Sequence, residues 1–299
     1  MRKMHLLHAA AVSGVVISAY IAVCIFLLVA QNRLIFFPTQ EITATPAEVR
    51  LDYEDIWLPV GDYSQNTRER IHGWWLPAAR QQQGRVLLYL HGNSENISGN
   101  IHHANRFHKL GFSVFLIDYR GYGSSKGSFP TEESVYQDAE TAWNYLVEQR
   151  GIPPEQIVIY GHSLGGAVAI ELADRQPGAA GLIVEGSFTS IRDMTTYRYP
   201  WFVIFPIDQL LTHHFDSISK VSQLKMPVLF IHGTADETVP YPMSQTLFAA
   251  APEPKRLFTV PGAGHENLAK LSGETYLQTI RNFMELVENN LAQMPTRSH

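Results

Sequence analysis

The sequence predicts an α/β domain with a mostly parallel, twisted sheet and helices on both of its faces. From residue 86 onward, short apolar runs alternate with helical stretches. Such alternation is typical of parallel sheets, whose crossover helices cover both faces. The apolar runs lie at residues 86–90, 113–118, 156–160, 181–185, 228–231 and 256–260. Two earlier runs, at 55–60 and 71–76, flank the polar loop 61–70 and predict a hairpin ahead of the alternating part.

The composition excludes several classes of function. The 299 residues are enough for one large domain with a buried core, and the formal net charge is −5. Because Lys and Arg are not clustered, no basic surface for nucleic acid is expected. Cys24 is the single cysteine and cannot form an intramolecular disulfide, and no Cys/His spacing resembles a zinc site. We expect neither a metal nor a cofactor.

An N-terminal apolar stretch predicts one transmembrane helix that acts as an uncleaved signal anchor. Residues 9–30 contain no charged side chain, and a helix of this length crosses a hydrocarbon core of about 30 Å. The alternative is a cleavable signal peptide, but its apolar region would be shorter, and Leu28-Val29-Ala30 provides no cleavage site. Arg2 and Lys3 precede the stretch and Arg33 follows it, so the positive-inside rule places the N terminus in the cytoplasm by one charge. The main domain would then be periplasmic or lumenal.

The remaining chain divides by composition and periodicity. Residues 1–8 flank the span, and polar, proline-containing sequence within 31–50 indicates a linker. The main domain is expected at 51–292 and a frayed tail at 293–299. Two apolar faces mark helices that pack on a sheet. They comprise Val135, Ala139, Ala142, Trp143, Leu146 and Val147 in one helix, and Tyr276, Ile280, Phe283, Met284, Val287 and Leu291 in the other.

One strand-to-helix turn carries a serine with the features of a nucleophile. Gly161-His162-Ser163-Leu164-Gly165 follows the run 156–160 and precedes a helical run at 166–173. In such a nucleophile elbow the serine is strained, and a Cβ at either glycine would collide with the neighbouring strand or helix. Ser163 would lie at the N terminus of the next helix, where the dipole favours developing negative charge. A chance G-x-S-x-G turn is the alternative.

The stretch 192–215 interrupts the alternation of strands and helices and predicts a small cap over the site. It contains the aromatic-rich run Tyr199-Pro200-Trp201-Phe202-Val203-Ile204-Phe205-Pro206. These aromatic side chains could line an acyl pocket or touch a membrane, or they could simply pack the cap onto the domain.

Ser163 needs a base, and the base needs an orienting carboxylate, because a serine hydroxyl is a poor nucleophile at neutral pH. After a serine elbow in an α/β sheet, these partners follow in the order acid, then histidine. Asp236 and His265 fill that order, and each lies in a loop just after an apolar strand, where open sheets place their sites. Glu237 and Glu185 remain alternatives for the acid.

The other histidines are weaker candidates for a base or a metal ligand. His102, His103 and His108 fall on a predicted helix, where a solvated face is expected rather than a metal site. His162 and His232 flank strand ends, and we expect structural roles for them.

The tetrahedral intermediate of acyl transfer carries an oxyanion that needs preorganised N–H donors, each worth about 3–4 kcal/mol. The N–H of Leu164, which follows the nucleophile, is one candidate. The other is the N–H of Asn93 in His91-Gly92-Asn93-Ser94, at the end of the run 86–90. An ordinary strand-end turn is the alternative interpretation of this tetrapeptide.

Several motifs occur together. They are Leu90-His91-Gly92-Asn93, DYRGYGSSKG at 118–127, GHSLGG at 161–166, EGSFTS at 185–190, and the loops around His232 and His265. With them, residues 34–290 resemble bacterial members of the membrane-anchored α/β-hydrolase-domain (ABHD-type) serine hydrolases, a group whose eukaryotic members include lipid hydrolases and protein depalmitoylases. The resemblance implies the α/β-hydrolase fold, which hosts many chemistries and so says little about the substrate.

The resemblance also implies roles for particular residues. It implies a Ser-His-Asp triad and two oxyanion donors, namely Ser163, His265, Asp236, Asn93 and Leu164. By the same resemblance, Arg120 is expected in a buried ion pair. One departure is Ser94-Glu95-Asn96, where relatives commonly continue with small, glycine-rich sequence. Glu95 could disfavour anionic substrates at the mouth of the site, or it could face solvent.

These features together predict hydrolysis of carboxylic esters or thioesters through an acyl-enzyme. Acyl lipids and lipidated molecules are the candidate substrates, and the membrane is the expected partner through the N-terminal helix. A serine peptidase of the same fold and a catalytically silent membrane adaptor are the alternatives.

Overall fold

Eight strands form one sheet in the computed structural model, which describes residues 2–61, 69–78 and 84–293. They are β1 (Glu54–Pro59), β2 (Arg70–Leu76), β3 (Arg85–Leu90), β4 (Phe112–Asp118), β5 (Ile157–His162), β6 (Gly181–Glu185), β7 (Val228–Gly233) and β8 (Lys255–Val260). Their order across the sheet is β1-β2-β4-β3-β5-β6-β7-β8. β2 runs antiparallel to both neighbours, and the other adjacent pairs are parallel, which confirms the predicted mostly parallel sheet.

Each apolar run of the sequence overlaps one of these strands, and their ends differ by at most two residues. β5 and β7 extend beyond the predicted ends because His162 and Gly233 still pair with Glu185 and Val260 on the neighbouring strands. β1 and β2 pair antiparallel, as a hairpin requires. Residues 62–68 of the predicted hairpin loop and 294–299 of the predicted tail lie outside the described residues.

Helices cover both faces of the sheet. They are α1 (Arg2–Ile35), α2 (Ile101–Lys109), α3 (Glu132–Asn144), α4 (Leu164–Arg175), α5 (Ile191–Arg198), α6 (Ile207–Leu210), α7 (Ser217–Val221), α8 (Tyr241–Ala250), α9 (Leu268–Ser272) and α10 (Glu274–Gln293). Buried side chains of α3, α4, α7 and α8 join one core, and those of α2, α9 and α10 join the other. This confirms the predicted layers.

Burial follows the period of each element. Alternate side chains of β3 enter the two cores, with Val86, Leu88 and Leu90 in one and Leu87 and Tyr89 in the other. A strand buried on both faces needs apolar residues at successive positions, which explains its continuous apolar sequence. α10 instead buries one stripe, formed by Tyr276, Ile280, Phe283 and Val287.

α1 is a single helix of 34 residues, about 51 Å long. Among the described residues it is the one helix long and apolar enough to cross a membrane, so it is a candidate span. It is longer than the predicted span 9–30, since it also includes residues of the predicted flank 1–8 and of the predicted linker 31–50. Near its C-terminal end Gln31 is buried, as is Phe36 just after it, so this end of α1 packs on the domain.

The segment predicted as a cap, residues 192–215, lies between β6 and β7 and consists of short elements. α5 and α6 are separated by a 3₁₀ turn at Pro200–Ile204. Several apolar side chains of this cap segment are exposed, namely Tyr197, Tyr199, Trp201, Val203 and Ile204. Because these side chains are exposed, packing of the cap segment onto the domain does not account for their apolar character.

Candidate active site

Ser163 occupies the turn between β5 and α4 in a conformation that few residues adopt. Its φ is 55° and its ψ is −122°, and such backbone strain costs about 1–3 kcal/mol. Close packing enforces the turn: a Cβ on Gly161 would lie 2.1 Å from the carbonyl oxygen of Gly165, and a Cβ on Gly165 would lie 2.2 Å from that of Leu90. The turn therefore holds Ser163 at the N terminus of α4.

Asp236 and His265 contact each other in the loops that follow β7 and β8. Nδ1 of His265 lies 2.7 Å from Oδ2 of Asp236. The other carboxylate oxygen, Oδ1, accepts hydrogen bonds from the backbone N–H groups of Thr238 and Val239, both at 2.8 Å. These donors therefore fix the orientation of one buried carboxylate.

This contact shifts the pKa of both groups. Burial opposes ionisation of Asp236, but hydrogen bonds from His232 and His265 and the charge of His265 hold the pKa of Asp236 well below its ordinary value. Burial also opposes protonation of His265, yet the hydrogen bond and charge of Asp236 raise the pKa of His265 above its ordinary value. The pair thus favours a carboxylate that stabilises a protonated imidazole.

Ser163 and His265 meet at one cavity of about 230 Å³. Asn93, Glu95 and Glu266 also line it. Asp236 lies behind His265 through their hydrogen bond. The loops after β3, β5, β7 and β8 thus meet at the carboxyl ends of parallel strands, where open α/β sheets place their sites.

Two backbone N–H groups next to Ser163 have no hydrogen-bond acceptor among the described residues, those of Asn93 and Leu164. Leu164 is the first residue of α4, and the first N–H groups of a helix have no partner within it. The Asn93 loop is held from both sides: the hydroxyl of Tyr122 donates to the carbonyl of Asn93 at 2.7 Å, and the N–H of Phe37 donates to its side chain at 3.0 Å.

Comparison with known proteins identifies the relatives of this chain. Residues 81–219 match the family model described as "serine aminopeptidase, S33", and residues 190–298 match "PhoPQ-activated pathogenicity-related protein". Protein Rv2307c of Mycobacterium tuberculosis is 37% identical over 286 residues, which cover 94% of this chain and 97% of that protein. The alpha/beta hydrolase domain-containing protein WAV2 of Arabidopsis thaliana is 32% identical over 280 residues, covering 87% of this chain and 89% of that protein. The chain belongs to the α/β-hydrolase family.

The fold of this hydrolase is also found among solved structures. The Pyrococcus furiosus esterase Pf2001 matches it with a TM-score of 0.67 at 16% identity, covering 83% of this chain and 98% of that chain. Identity at this level shows a shared fold alone. The resemblance inferred from the motifs of the sequence is thus confirmed at the level of family and fold.

A second, larger cavity of the hydrolase also reaches Ser163. It has a volume of about 500 Å³, within the range typical of small-molecule sites. Its walls are mostly apolar and come from the cap segment, from α1 and from the loops beside Ser163. The sequence does not predict α1 at this site, because the helix is apolar around most of its circumference and no stripe marks an inward face.

Glu185 and Glu237, the alternatives to Asp236 as the acid, have other environments. The carboxylate of Glu185 is buried and accepts a hydrogen bond from the hydroxyl of Tyr276 at 2.6 Å, and burial raises the pKa of Glu185. Glu237 is exposed. Glu185 contributes instead through its backbone, since its carbonyl accepts the N–H of Ser163 at 2.8 Å.

His162 and His232 support the site from behind. His232 is fully buried, with Nε2 3.2 Å from Oδ2 of Asp236 and Nδ1 2.5 Å from Oγ of Ser244. The ring of His162 lies beside that of His265, at a centroid separation of 4.8 Å, and its Nε2 is 3.3 Å from the carbonyl oxygen of His265. Both imidazoles therefore position the loops that carry Asp236 and His265.

The expectation of a solvated face is wrong for His103. Its ring lies among three tyrosine hydroxyls, at 2.9 Å from Tyr89, 3.2 Å from Tyr160 and 3.0 Å from Tyr276. Burial lowers the pKa of His103 well below its ordinary value. The amphipathic pattern of α2 gives no sign of these tyrosine hydroxyls, because they come from β3, β5 and α10. The sequence alone therefore did not indicate that His103 would be buried against them.

Arg120 lies in the ion pair that the resemblance implies. Its Nε is 2.7 Å from Oδ1 of the fully buried Asp138, and its Nη1 is 2.5 Å from Oε2 of Glu69. Nη2 donates to the carbonyl of Ser134 at 3.1 Å. The pair ties the loop after β4 to α3.

His162, His265 and Glu266 are the group of possible metal ligands found in the described part of the chain, with ligand atoms within 4.8 Å of one another. Nε2 of His162 is already within hydrogen-bonding distance of a backbone carbonyl. Protein metal sites of the zinc type use three or four well-oriented ligands. We therefore interpret these three side chains as polar lining of the smaller cavity rather than as a metal site.

Proposed function

We propose that this protein is a membrane-anchored serine hydrolase that cleaves carboxylic esters or thioesters through an acyl-enzyme. The observation that carries the proposal is the 2.7 Å contact between His265 and buried Asp236, made beside a cavity that Ser163 also lines. A strained serine, a base and a group that orients the base are the parts that nucleophilic acyl transfer needs.

In the proposed reaction, Oγ of Ser163 attacks the substrate carbonyl carbon and Nε2 of His265 accepts the hydroxyl proton. Asp236 accepts the Nδ1–H of His265, which keeps Nε2 available as the base. The N–H groups of Asn93 and Leu164 donate to the oxyanion of the tetrahedral intermediate. Protonated His265 then gives its proton to the leaving alcohol or thiol. Water attacks the acyl-serine with His265 again as base, and the carboxylic acid is released.

The apolar lining of the larger cavity supports an acyl group as the part of the substrate that is recognised. Leu164, Phe188 and Val239 line the cavity near Ser163, and apolar side chains of the cap segment continue it. Burial of apolar surface contributes about 25 cal/mol per Å², so each added methylene would strengthen binding. Acyl lipids and lipidated molecules are therefore the proposed substrates, and no metal or cofactor takes part in the proposed steps.

The proposed location is a membrane, with α1 as a single-pass anchor. The length and apolar composition of α1 support this proposal. Arg2 and Lys3 precede the apolar stretch, whereas Arg33 is the one base close behind it, which favours a cytoplasmic N terminus. The catalytic domain would then lie on the periplasmic or lumenal side.

A peptidase is the second candidate, because one matching family model is described as a serine aminopeptidase. Two carboxylates, Glu95 and Glu266, line the smaller cavity next to Ser163 and would suit a substrate amine. The large apolar cavity favours the ester or thioester instead. A panel of matched ester, thioester and amide substrates separates the two candidates.

Labelling with a fluorophosphonate probe tests the proposal. The full-length protein should label, whereas Ser163→Ala and His265→Ala should not, because the probe needs an activated serine hydroxyl. Ser94→Ala is the matched control, since Ser94 lines the same cavity without the strained backbone, and this variant should label like the parent. Comparison of short-chain and long-chain esters should then show a preference for the longer acyl groups.

Three outcomes would contradict the proposal in whole or in part. A folded parent that stays unlabelled would favour the catalytically silent adaptor. Labelling that persists in Ser163→Ala would assign the nucleophile to another residue. A strict preference for acetyl groups would leave the serine hydrolase but remove the acyl-lipid substrate.

A further inference from the structure

The C-terminal half of α1 is fixed to the cap segment and is not a free tether. Gln31 is only 6% exposed, and its Nε2 donates to the carbonyl of Leu210 at 2.6 Å while its Oε1 accepts the N–H of Thr212 at 2.8 Å. Three turns earlier, the hydroxyl of Tyr20 donates to the carbonyl of Ile204 at 2.9 Å. These two attachment points are about 16 Å apart along the helix, so the cap segment follows α1 for that distance.

This docked part of α1 forms one wall of the larger cavity. The lining residues from α1 are Phe26, Leu27, Gln31, Leu34 and Ile35, which recur at helical spacing and share one face. The hydrogen-bonding groups of Gln31 are occupied by the cap segment, so this wall is effectively apolar. It runs for about 13 Å from Ile35 to Phe26, and Ser163 lines the same cavity.

The apolar surface of the cap segment is continuous with that of α1. The rings of Tyr20 and Phe205 stack with centroids 5.3 Å apart. Trp201, at 58% exposure, and Val203, at 81%, lie on the same 3₁₀ turn as Ile204. Exposing such large apolar side chains to water is unfavourable in free energy, whereas a lipid bilayer would bury them.

The length of the free part of α1 places this surface at a bilayer. From Lys3 to Tyr20, which donates its hydrogen bond to the cap segment, the helix is about 26 Å long, close to the hydrocarbon thickness of about 30 Å. With Lys3 at one surface of the membrane, the contact between Tyr20 and the cap segment lies near the other surface. Phe26, which is also exposed, lines the cavity just beyond that level.

We propose that α1 and the cap segment together form an acyl-binding pocket that receives the chain of a membrane-embedded substrate directly from the bilayer, and that Leu27 sets the length of chain it holds. The proposal rests on the ester or thioester hydrolysis proposed above. The acyl chain enters between α1 and the cap segment and extends along the face of α1, so that its carbonyl reaches Ser163. α1 is then a part of the substrate site as well as an anchor.

Substitutions on the two faces of α1 test this proposal in the full-length protein, in detergent micelles and in phosphatidylcholine vesicles. Leu27→Trp fills the pocket. Ile25→Trp is the matched control, because Ile25 is 56% exposed, two positions away and not part of the cavity lining. The measurements are kcat/KM for butyryl and palmitoyl thioesters and the rate of fluorophosphonate labelling.

We expect Leu27→Trp to lower the palmitoyl-to-butyryl ratio of kcat/KM by about tenfold or more, since a pocket that loses room for a few methylenes discriminates by at least this factor. Labelling by a short-chain fluorophosphonate should be unchanged, and Ile25→Trp should behave like the parent. Leu27→Ala, which enlarges the pocket, should instead raise the ratio. This second variant keeps the inference testable if Leu27→Trp does not fold.

The outcomes distinguish this inference from the proposed function. If the parent labels and hydrolyses both thioesters, but Leu27→Trp and Leu27→Ala keep the parental ratio, α1 is not a wall of the pocket and the inference is wrong while the hydrolase activity stands. An equal change in Ile25→Trp would point to a general disturbance of α1 and would also overturn the inference. A parent that neither labels nor hydrolyses would overturn the proposed function itself.

Discussion

Replacement of Asp236 by asparagine tests the proposed orientation of His265 with an almost isosteric change. Oδ1 of Asp236 accepts two backbone N–H groups, from Thr238 and Val239, at 2.8 Å each. These donors would keep the oxygen of an asparagine amide on their side, so its NH₂ group would face His265. Because an NH₂ group only donates, Nδ1 of His265 would have to accept, and Nε2 would carry the proton. His265 could then no longer accept the proton of Ser163.

We expect kcat of Asp236→Asn to fall about 10⁴-fold, the loss that follows when the acid of a serine triad becomes an amide. At 1.36 kcal/mol for each tenfold change in rate, this is about 5 kcal/mol of transition-state stabilisation. Both backbone hydrogen bonds to Oδ1 persist in the variant, so the loop and the fold should be retained. The loss should therefore appear in kcat rather than in the amount of folded protein.

The assay is hydrolysis of a chromogenic ester at saturating concentration, with the rate of fluorophosphonate labelling as an independent measure of Ser163 reactivity. Glu237→Gln is the matched control, because the same chemical change is made at an adjacent, exposed carboxylate. We expect kcat of this control within about twofold of the parent. A kcat for Asp236→Asn within tenfold of the parent would refute the proposed role of Asp236. A large loss in Glu237→Gln would move that role to Glu237.

Two further predictions concern pH and the packing of the serine turn. Burial opposes protonation of His265, but the hydrogen bond and charge of Asp236 raise its pKa above the ordinary value, so kcat/KM should rise with pH through that higher pKa as the neutral base forms. In Asp236→Asn the midpoint should move to lower pH, and an unshifted midpoint in a pH–rate profile would contradict the coupling. Gly165→Ala should destabilise the fold by about 1–3 kcal/mol in thermal unfolding, because its Cβ would approach the carbonyl of Leu90 to 2.2 Å. The control Gly178→Ala, whose Cβ would meet nothing closer than 3.4 Å, should be nearly neutral; equal melting temperatures would show that the turn tolerates a side chain.

The sheet was predictable because its signals are local. A strand buried on both faces, such as β3, needs an unbroken apolar run, and that run is visible without knowledge of its neighbours. The order of the strands required more than periodicity: the position of β4 between β2 and β3 is a long-range pairing that no local pattern encodes. Strand ends were displaced for the same reason, since the pairing of Gly233 with Val260 extends β7 past its apolar run.

The candidate site also has residues that local sequence predicts and groups that only the folded structure positions. Ser163 stands out because the glycines around it are required by the backbone, and Asp236 and His265 stand out because they follow strand ends in the expected order. The groups that orient Asp236 have no comparable signal in the sequence. The backbone N–H groups of Thr238 and Val239 exist in any sequence, and only the folded loop directs them at Asp236.

By itself, the sequence determined the α/β class, the apolar N-terminal helix and the residues from which a nucleophile, a base and an acid could come, because each depends on side-chain type at short spacing. Only the tertiary structure decided that α1 lies against the cap segment and lines a cavity reaching Ser163. The physical reason is that an evenly apolar helix offers no stripe to show which face will be buried in protein and which in lipid. That choice depends on contacts between Gln31 and Thr212, which lie 181 residues apart in the chain.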